Sequence, residues 1–316
     1  MKIVVLDGYA VNPGDLSWDY LRALGDLTVY DRTPAADVIS RIADAQIVIL
    51  NKVLITREIL EACPNIRLIC VLATGYNVID LDATRQRGIT VCNVPAYSTA
   101  AVAQFTFALL LELCHRVGQH DTLVHSGAWS ACQDFCFWAT PQMELAGKTM
   151  GIIGFGRIGK AVAAIAKAMG MQVLAYSRTP DPAGSPLAAY TDLDTLLAQS
   201  DVVSLHCPLT PATNHLINAQ TIAKMKDGAL LLNTARGPVI DQQAVADALT
   251  QGKLRGVAMD VADQEPIPAD APLLTAPNCI ITPHIAWAPL ECRQRIMSIT
   301  EASIRGFLSG QPVNTV

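Results

Sequence analysis

Gly154, Gly156 and Gly159 form a GxGxxG turn. A short apolar run at 148–153 precedes it, with the pattern of a buried parallel strand. The residues after it, 160–169, are rich in Ala and Met and favour helix. Strand, glycine turn and helix is the context in which this spacing binds a dinucleotide. Gly154 permits the tight turn, Gly156 lets the backbone approach a pyrophosphate, and Gly159 lets helix and strand pack closely. The helix N-terminus offers free N–H groups and a positive dipole end to the phosphates. The next apolar run, 172–176, leads into Ser177, Arg178 and Thr179. An NAD(H) site usually places Asp or Glu there to bond the ribose 2′-OH. A carboxylate would repel a 2′-phosphate. Ser177 and Thr179 can instead donate hydrogen bonds to one, and the planar Arg178 guanidinium can pair with it. The segment therefore favours NADP(H), with NAD(H) also possible.

Three further residues follow apolar runs that read as strands. Arg236 lies just after 229–233, Glu265 a few residues after 256–260, and His284 just after 279–282. An open α/β sheet holds its ligand beyond the carboxyl ends of its strands. Arg236 can bind a carboxylate in bidentate fashion and polarise a neighbouring carbonyl. His284 can pass a proton near neutral pH. Glu265 can bond the histidine, orient it and favour its charged form. Singly, each has a plainer reading: a surface ion pair, a solvated loop carboxylate, a satisfied structural histidine. Their shared placement at strand ends makes them a set.

The chain has 316 residues, enough for two domains of ordinary size, and 51% of them are apolar. Its net charge of −5, with no Lys/Arg run, argues against nucleic acid and anionic membranes as partners. The first apolar run is broken at Asp7, too early for a signal segment. The apolar stretch 105–111 contains Thr106 and is bounded by Gln104 and Glu112, far short of a membrane span. The nine cysteines are scattered, with no CxxC pair. They read as reduced thiols of a cytoplasmic protein, and no zinc or other metal is expected.

Short apolar runs alternate with helical patterns from end to end. Strands are expected at 3–6, 47–50, 68–71 and 90–93, with helices near 15–24, 34–44, 56–62 and 79–87. Further strands are expected at 149–153, 172–176, 202–206, 229–233, 256–260 and 279–282. This is βαβ order, an α/β fold with two doubly wound parallel sheets. Residues 101–117 read as one helix, apolar around almost its whole circumference, so both sides should be buried, one in the core and the other against a second domain or a second subunit. Residues 127–143 have no period and read as an ordered loop carrying Trp129, Phe135 and Trp138. A last helix is expected near 289–309.

The segments ATGYNVID (73–80), VPAYSTAAVAQ (94–104), GIIGFGRIG (151–159), LHCPLTPATNHLI (205–217), LLNTARGPVIDQQAV (231–245), GVAMDVADQEP (256–266) and TPHIAWAP (282–289) resemble the D-isomer-specific 2-hydroxyacid dehydrogenase family, in family order. The resemblance implies a flavodoxin-like substrate domain, here 1–97 and 288–316, and a Rossmann cofactor domain, 98–287, with the active site in the cleft. It implies a homodimer held partly by the helix at 101–117. It makes Arg236, Glu265 and His284 the catalytic trio, and the backbone of Thr74, Gly75, Tyr76 and Asn77 the binding loop for the substrate carboxylate. It places cofactor contacts at Arg157 and Ile158 on the glycine turn, at His206, Cys207, Pro208 and Thr213 around the adenosine, and at Thr234, Ala235 and Asp260 near the nicotinamide. Two departures stand out: Ser177-Arg178 replaces the commoner acid, and Ala101 stands where many members have Ser. HIAW together with CFW is similar to members that reduce glyoxylate and hydroxypyruvate, and Trp138 and Trp287 are candidates to limit the pocket to small acids. The expected activity is reversible hydride transfer between NAD(P)H and a small 2-oxo acid. Two other classes share the scaffold: a cofactor-sensing protein without turnover, and formate or phosphite oxidation.

Overall fold

The computed structural model describes residues 1–181 and 185–316, which form two compact units. The first comprises Met1–Ser98 and Ala288–Val316. Its sheet has five strands, β1 (Lys2–Val5), β2 (Asp26–Val29), β3 (Ile47–Leu50), β4 (Leu68–Val71) and β5 (Thr90–Cys92). All pair in parallel in the order β2-β1-β3-β4-β5, the flavodoxin-like arrangement. Every residue of β3 and β4 is buried, as strands covered on both faces must be, and this is why they read as unbroken apolar runs. Helices α1 (Asp19–Arg22), α2 (Val38–Ile42), α3 (Arg57–Ala62) and α4 (Leu81–Gln86) connect them.

Two expectations fail here. The helix expected over 15–24 is confined to α1, and β2 was not foreseen. β2 is an edge strand whose residues alternate between exposed and half-buried, so it carries no long apolar run.

The second unit, Thr99–Trp287, opens with α5 (Thr99–His115) and α6 (Val117–His125). Its sheet has seven strands: β6 (Thr149–Ile153), β7 (Gln172–Tyr176), β8 (Ala189–Tyr190), β9 (Val202–Leu205), β10 (Ala229–Asn233), β11 (Leu254–Met259) and β12 (Cys279–Ile281). They pair in parallel in the order β12-β11-β10-β9-β6-β7-β8. The order reverses between β6 and β9, the switch point where doubly wound sheets hold ligands. Helices α7 (Arg157–Ala168), α8 (Leu193–Gln199), α9 (Ala219–Lys224) and α10 (Gln242–Thr250) flank the sheet. Two apolar clusters fill its faces, one built on α5 and α7, the other on α8, α9 and α10. The two-residue edge strand β8 was also not foreseen.

The helix expected at 101–117 ends at His115, and Arg116 turns the chain with a left-handed φ of 49° into α6. Within this unit one side of the helix is covered, the side expected to pack in the core. Val102, Ala103, Thr106, Phe107, Leu109, Leu110, Leu113 and Cys114 are buried, while Gln104 and Ala108 are exposed and Ala101, Phe105 and Leu111 half-buried. Among the described residues no single helix is long and apolar enough to cross a membrane. Residues 127–143 form neither helix nor strand, and Trp129, Phe135 and Trp138 are exposed. The chain then returns to the first unit, where α11 (Leu290–Leu308) packs on β4 and the C-terminal Thr315 bridges Cys92 of the edge strand β5.

Candidate active site

Arg236, Glu265 and His284 follow β10, β11 and β12, three adjacent strands, so their loops leave the same edge of the sheet side by side. Backbone bonds tie these ends together. Asp260 N–H donates to the Asn233 carbonyl at 3.0 Å and Thr282 N–H to the Met259 carbonyl at 2.9 Å. His284 Nδ1 lies 2.7 Å from Glu265 Oε2. The other carboxylate oxygen, Oε1, accepts from Ala262 N–H at 3.2 Å, which fixes the carboxylate plane. With Nδ1 held by the acid, Nε2 is the nitrogen left to exchange a proton. The histidine side chain keeps 29% of its surface exposed, so that nitrogen is reachable.

Asp260 is 1% exposed and accepts three hydrogen bonds from the histidine turn. Thr282 Oγ1 donates at 2.6 Å and Ile285 N–H at 2.9 Å to Oδ1, and Ala286 N–H at 2.7 Å to Oδ2. These donors bracket His284, whose φ of 56° is left-handed. The sequence reading gave Asp260 only a place near the nicotinamide; its bonds to this turn were missed, because side-chain direction after a strand is not encoded in spacing.

Arg236 is exposed and donates from Nη1 to the Ala235 carbonyl at 2.7 Å. Fully buried Asn233 shapes its turn, accepting from Ala235 N–H at 3.1 Å and donating to the Arg236 carbonyl at 2.9 Å. The next residue, Gly237, lies against the backbone of Ala262 and Asp263, where any Cβ would collide. That contact brings the arginine loop onto the segment that carries Glu265. Asn233 and Gly237 were also missed, although the glycine directly after the arginine was a visible signal.

The glycine turn follows β6. Gly154 has a φ of 95°, and a Cβ there would meet the backbone of His206 and Cys207 at the end of β9. At Gly156 a Cβ would meet nothing within 4 Å. Gly156 caps α7, and the first-turn N–H groups of Arg157 and Ile158 have no hydrogen-bond partner among the described residues. This cradle fits a pyrophosphate. Beyond β7, Ser177 Oγ donates to the Thr179 carbonyl at 3.4 Å, and the Arg178 guanidinium forms no ion pair among the described residues. Beyond β9, His206 shares a 2.8 Å hydrogen bond between Nε2 and Ser204 Oγ, and burial pushes its pKa down to about 4, so the ring is neutral. Thr213 Oγ1 donates to the Pro208 carbonyl at 2.7 Å and accepts from Thr210 N–H at 2.8 Å, closing the 208–213 turn. Cys207 is buried and Pro208 exposed, and Thr234 and Ala235 are half-buried.

In the first unit, the 74–77 loop follows β4. Thr74 Oγ1 donates to the Val94 carbonyl at 2.8 Å and Asn93 Nδ2 to the Thr74 carbonyl at 2.7 Å. The backbone N–H groups of Gly75, Tyr76 and Asn77 have no partner among the described residues. Successive free N–H groups in a loop make an anion-binding cradle. Trp138 is 69% exposed and Trp287 half-buried, so neither packs in a core. Among the described residues no three His, Cys, Asp or Glu converge as a metal site.

A glycine turn at the switch point and a His–carboxylate pair at the same sheet edge define a nicotinamide-dependent dehydrogenase. Residues 107–286 match the profile described as "D-isomer specific 2-hydroxyacid dehydrogenase, NAD binding domain". A hydroxypyruvate reductase of Blautia hydrogenotrophica is 55% identical over all of this chain and 99% of its own length. The solved D-lactate dehydrogenase with NAD+ from Lactobacillus jensenii superposes with a TM-score of 0.83 at 29% identity, over 100% of this chain and 99% of that one. An acyclic imino acid reductase solved with NADPH and D-Arg gives 0.86 at 30%, over the full length of both. The chain belongs to the D-isomer-specific 2-hydroxyacid dehydrogenase family.

Proposed function

We propose that this chain catalyses NAD(P)H-dependent reduction of a small 2-oxo acid, of the glyoxylate or hydroxypyruvate type, to the D-2-hydroxy acid. The observation that carries the reading is the 2.7 Å contact of His284 Nδ1 with Glu265, which leaves Nε2 as the proton donor. The 55% identity to a hydroxypyruvate reductase supports the substrate class.

The unit Thr99–Trp287 binds the cofactor and the unit Met1–Ser98 with Ala288–Val316 serves the substrate. The bound reduced nicotinamide supplies a hydride to the C2 carbon. The N–H groups of Gly75, Tyr76 and Asn77 and the Arg236 guanidinium hold the substrate carboxylate. Arg236 also polarises the C2 carbonyl. Protonated His284 gives the Nε2 proton to the carbonyl oxygen, and Glu265 stabilises the imidazolium and keeps Nδ1 protonated. In the oxidative direction neutral His284 takes the proton back. The first-turn N–H groups of α7 hold the pyrophosphate. Arg178, with no carboxylate paired to it among the described residues, holds a 2′-phosphate beside Ser177 and Thr179, so NADPH is preferred to NADH. His206, Cys207, Pro208 and Thr213 line the adenosine, and Thr234, Ala235 and Asp260 the nicotinamide. The chain acts as a homodimer, and its nine free thiols fit the reducing cytoplasm.

Initial rates of NADPH and NADH oxidation with glyoxylate, hydroxypyruvate, pyruvate and a bulkier 2-oxo acid test this. Faster turnover on the small acids is expected, with NADPH ahead. His284→Ala should lose roughly three or more orders of magnitude in kcat while cofactor affinity is kept. Near-wild-type turnover of that variant would overturn the assignment. Cofactor binding without turnover on any acid would make the protein a sensor.

A further inference from the structure

Thr106 is a lone hydroxyl in the apolar middle of α5, and it is fully buried. Its Oγ1 lies 2.8 Å from the Val102 carbonyl and 3.1 Å from Oγ1 of Thr234. Thr234 is the first residue after β10, two before Arg236, and half-buried at the ligand-bearing edge of the sheet.

The direction of these bonds follows from counting protons. A threonine hydroxyl has one proton and two lone pairs. The Val102 carbonyl can only accept, so it takes the Thr106 proton. Thr106 can then only accept from Thr234. The Thr234 proton therefore points inward to α5, and lone pairs are what Thr234 shows a ligand. A hydroxyl that would otherwise donate or accept is restricted to accepting. A substrate carboxylate or ketone oxygen has no proton to offer it. The nicotinamide carboxamide does, through its N–H.

We propose that Thr106 is a positioning residue that fixes Thr234 as a hydrogen-bond acceptor for the carboxamide N–H of the cofactor. The proposal rests on the cofactor site assigned above. It makes α5 part of the cofactor-reading machinery as well as a packing element. Thr106→Val keeps shape and volume but cannot take the Thr234 proton, so that hydroxyl is free to turn and offer its proton instead.

The test is binding to the full-length protein, read by quenching of tryptophan fluorescence. The probes are the reduced cofactor and its acetylpyridine analogue, in which a methyl ketone replaces the amide and no N–H remains. Wild type should prefer the carboxamide form. In Thr106→Val that preference should shrink about fivefold, the worth of one net hydrogen bond. Thr106→Ser, which restores the hydroxyl, should restore the preference. Thr234→Val should lose it in the same way, and it serves if Thr106→Val does not fold. Equal weakening of both probes in Thr106→Val, or no change in either, would overturn the proposal while leaving the cofactor site intact. Wild-type protein that bound neither probe would overturn both.

Discussion

His284 adopts a left-handed backbone, at φ 56°, that costs a side chain bearing a Cβ of order 1 kcal/mol or more. It persists because Asp260 accepts from residues on both sides of it, Thr282, Ile285 and Ala286. Two carboxylates thus divide the labour: Asp260 sets the turn and Glu265 sets the ring. The second histidine at this sheet edge behaves differently. Burial lowers His206 from 6.5 to about 4. The unfolded chain therefore takes up this proton at a higher pH than the folded one. Lowering the pH from about 6.5 to about 4 favours unfolding, and the stability is fully present only above that window. Between about pH 7 and about pH 5 the loss from this one group should approach 2 kcal/mol. Urea unfolding of wild type and His206→Gln at both pH values checks it. The variant should lose less stability on acidification, and equal losses would show that His206 charges freely in the folded protein.

At the scale of elements, two glycines separate folding from binding. A methyl at Gly237 would collide with the Ala262 and Asp263 backbone, so Gly237→Ala must push the Arg236 loop off the segment bearing Glu265. It should cost about 1–3 kcal/mol of stability, with a loss of kcat beyond that from unfolding. At Gly156 there is open space and an ordinary φ of −82°, so Gly156→Ala should fold as wild type yet bind cofactor about tenfold or more weakly, because the methyl occupies the pyrophosphate approach. Thermal melts beside cofactor titrations separate the two, and a Gly156→Ala protein with unchanged affinity would remove the cradle from the site. Much of this was legible beforehand. Strands buried on both faces announce themselves as apolar runs, and the glycine spacing marks the switch point. Edge strands such as β2 and β8 bury too little to be seen. The break at Arg116 carries no Gly or Pro to betray it. The placement of Arg236, Glu265 and His284 just beyond three strands was legible in the sequence, and the resemblance proposed them as a trio. The roles of Asp260, Asn233 and Thr106 were not legible, because they lie in where a side chain points; a lone Thr in an apolar helix was the one faint signal.

For the whole molecule, the question is what covers the outer face of α5. Ala101, Gln104, Phe105, Ala108 and Leu111 recur at helical spacing and stay partly or fully exposed within their unit. Phe135, 88% exposed, and Trp138, 69%, add apolar surface in the following loop. An apolar helical stripe with exposed aromatics marks an association surface, and closed two-fold pairing is the commonest way to bury one. If two copies meet along α5, Ala108→Glu sets two carboxylates near the symmetry axis. Ala108 is exposed and Glu a good helix former, so the fold itself should hold. Juxtaposed like charges cost several kcal/mol, so the dimer should weaken roughly a hundredfold or more. Sedimentation equilibrium should find wild type at twice the monomer mass, and the variant shifted towards monomer with unchanged circular dichroism. A monomeric wild type, or a variant as dimeric as wild type, would move the association surface away from α5. Activity of the variant would then say whether the paired state is needed for turnover, since every residue of the trio comes from a single chain.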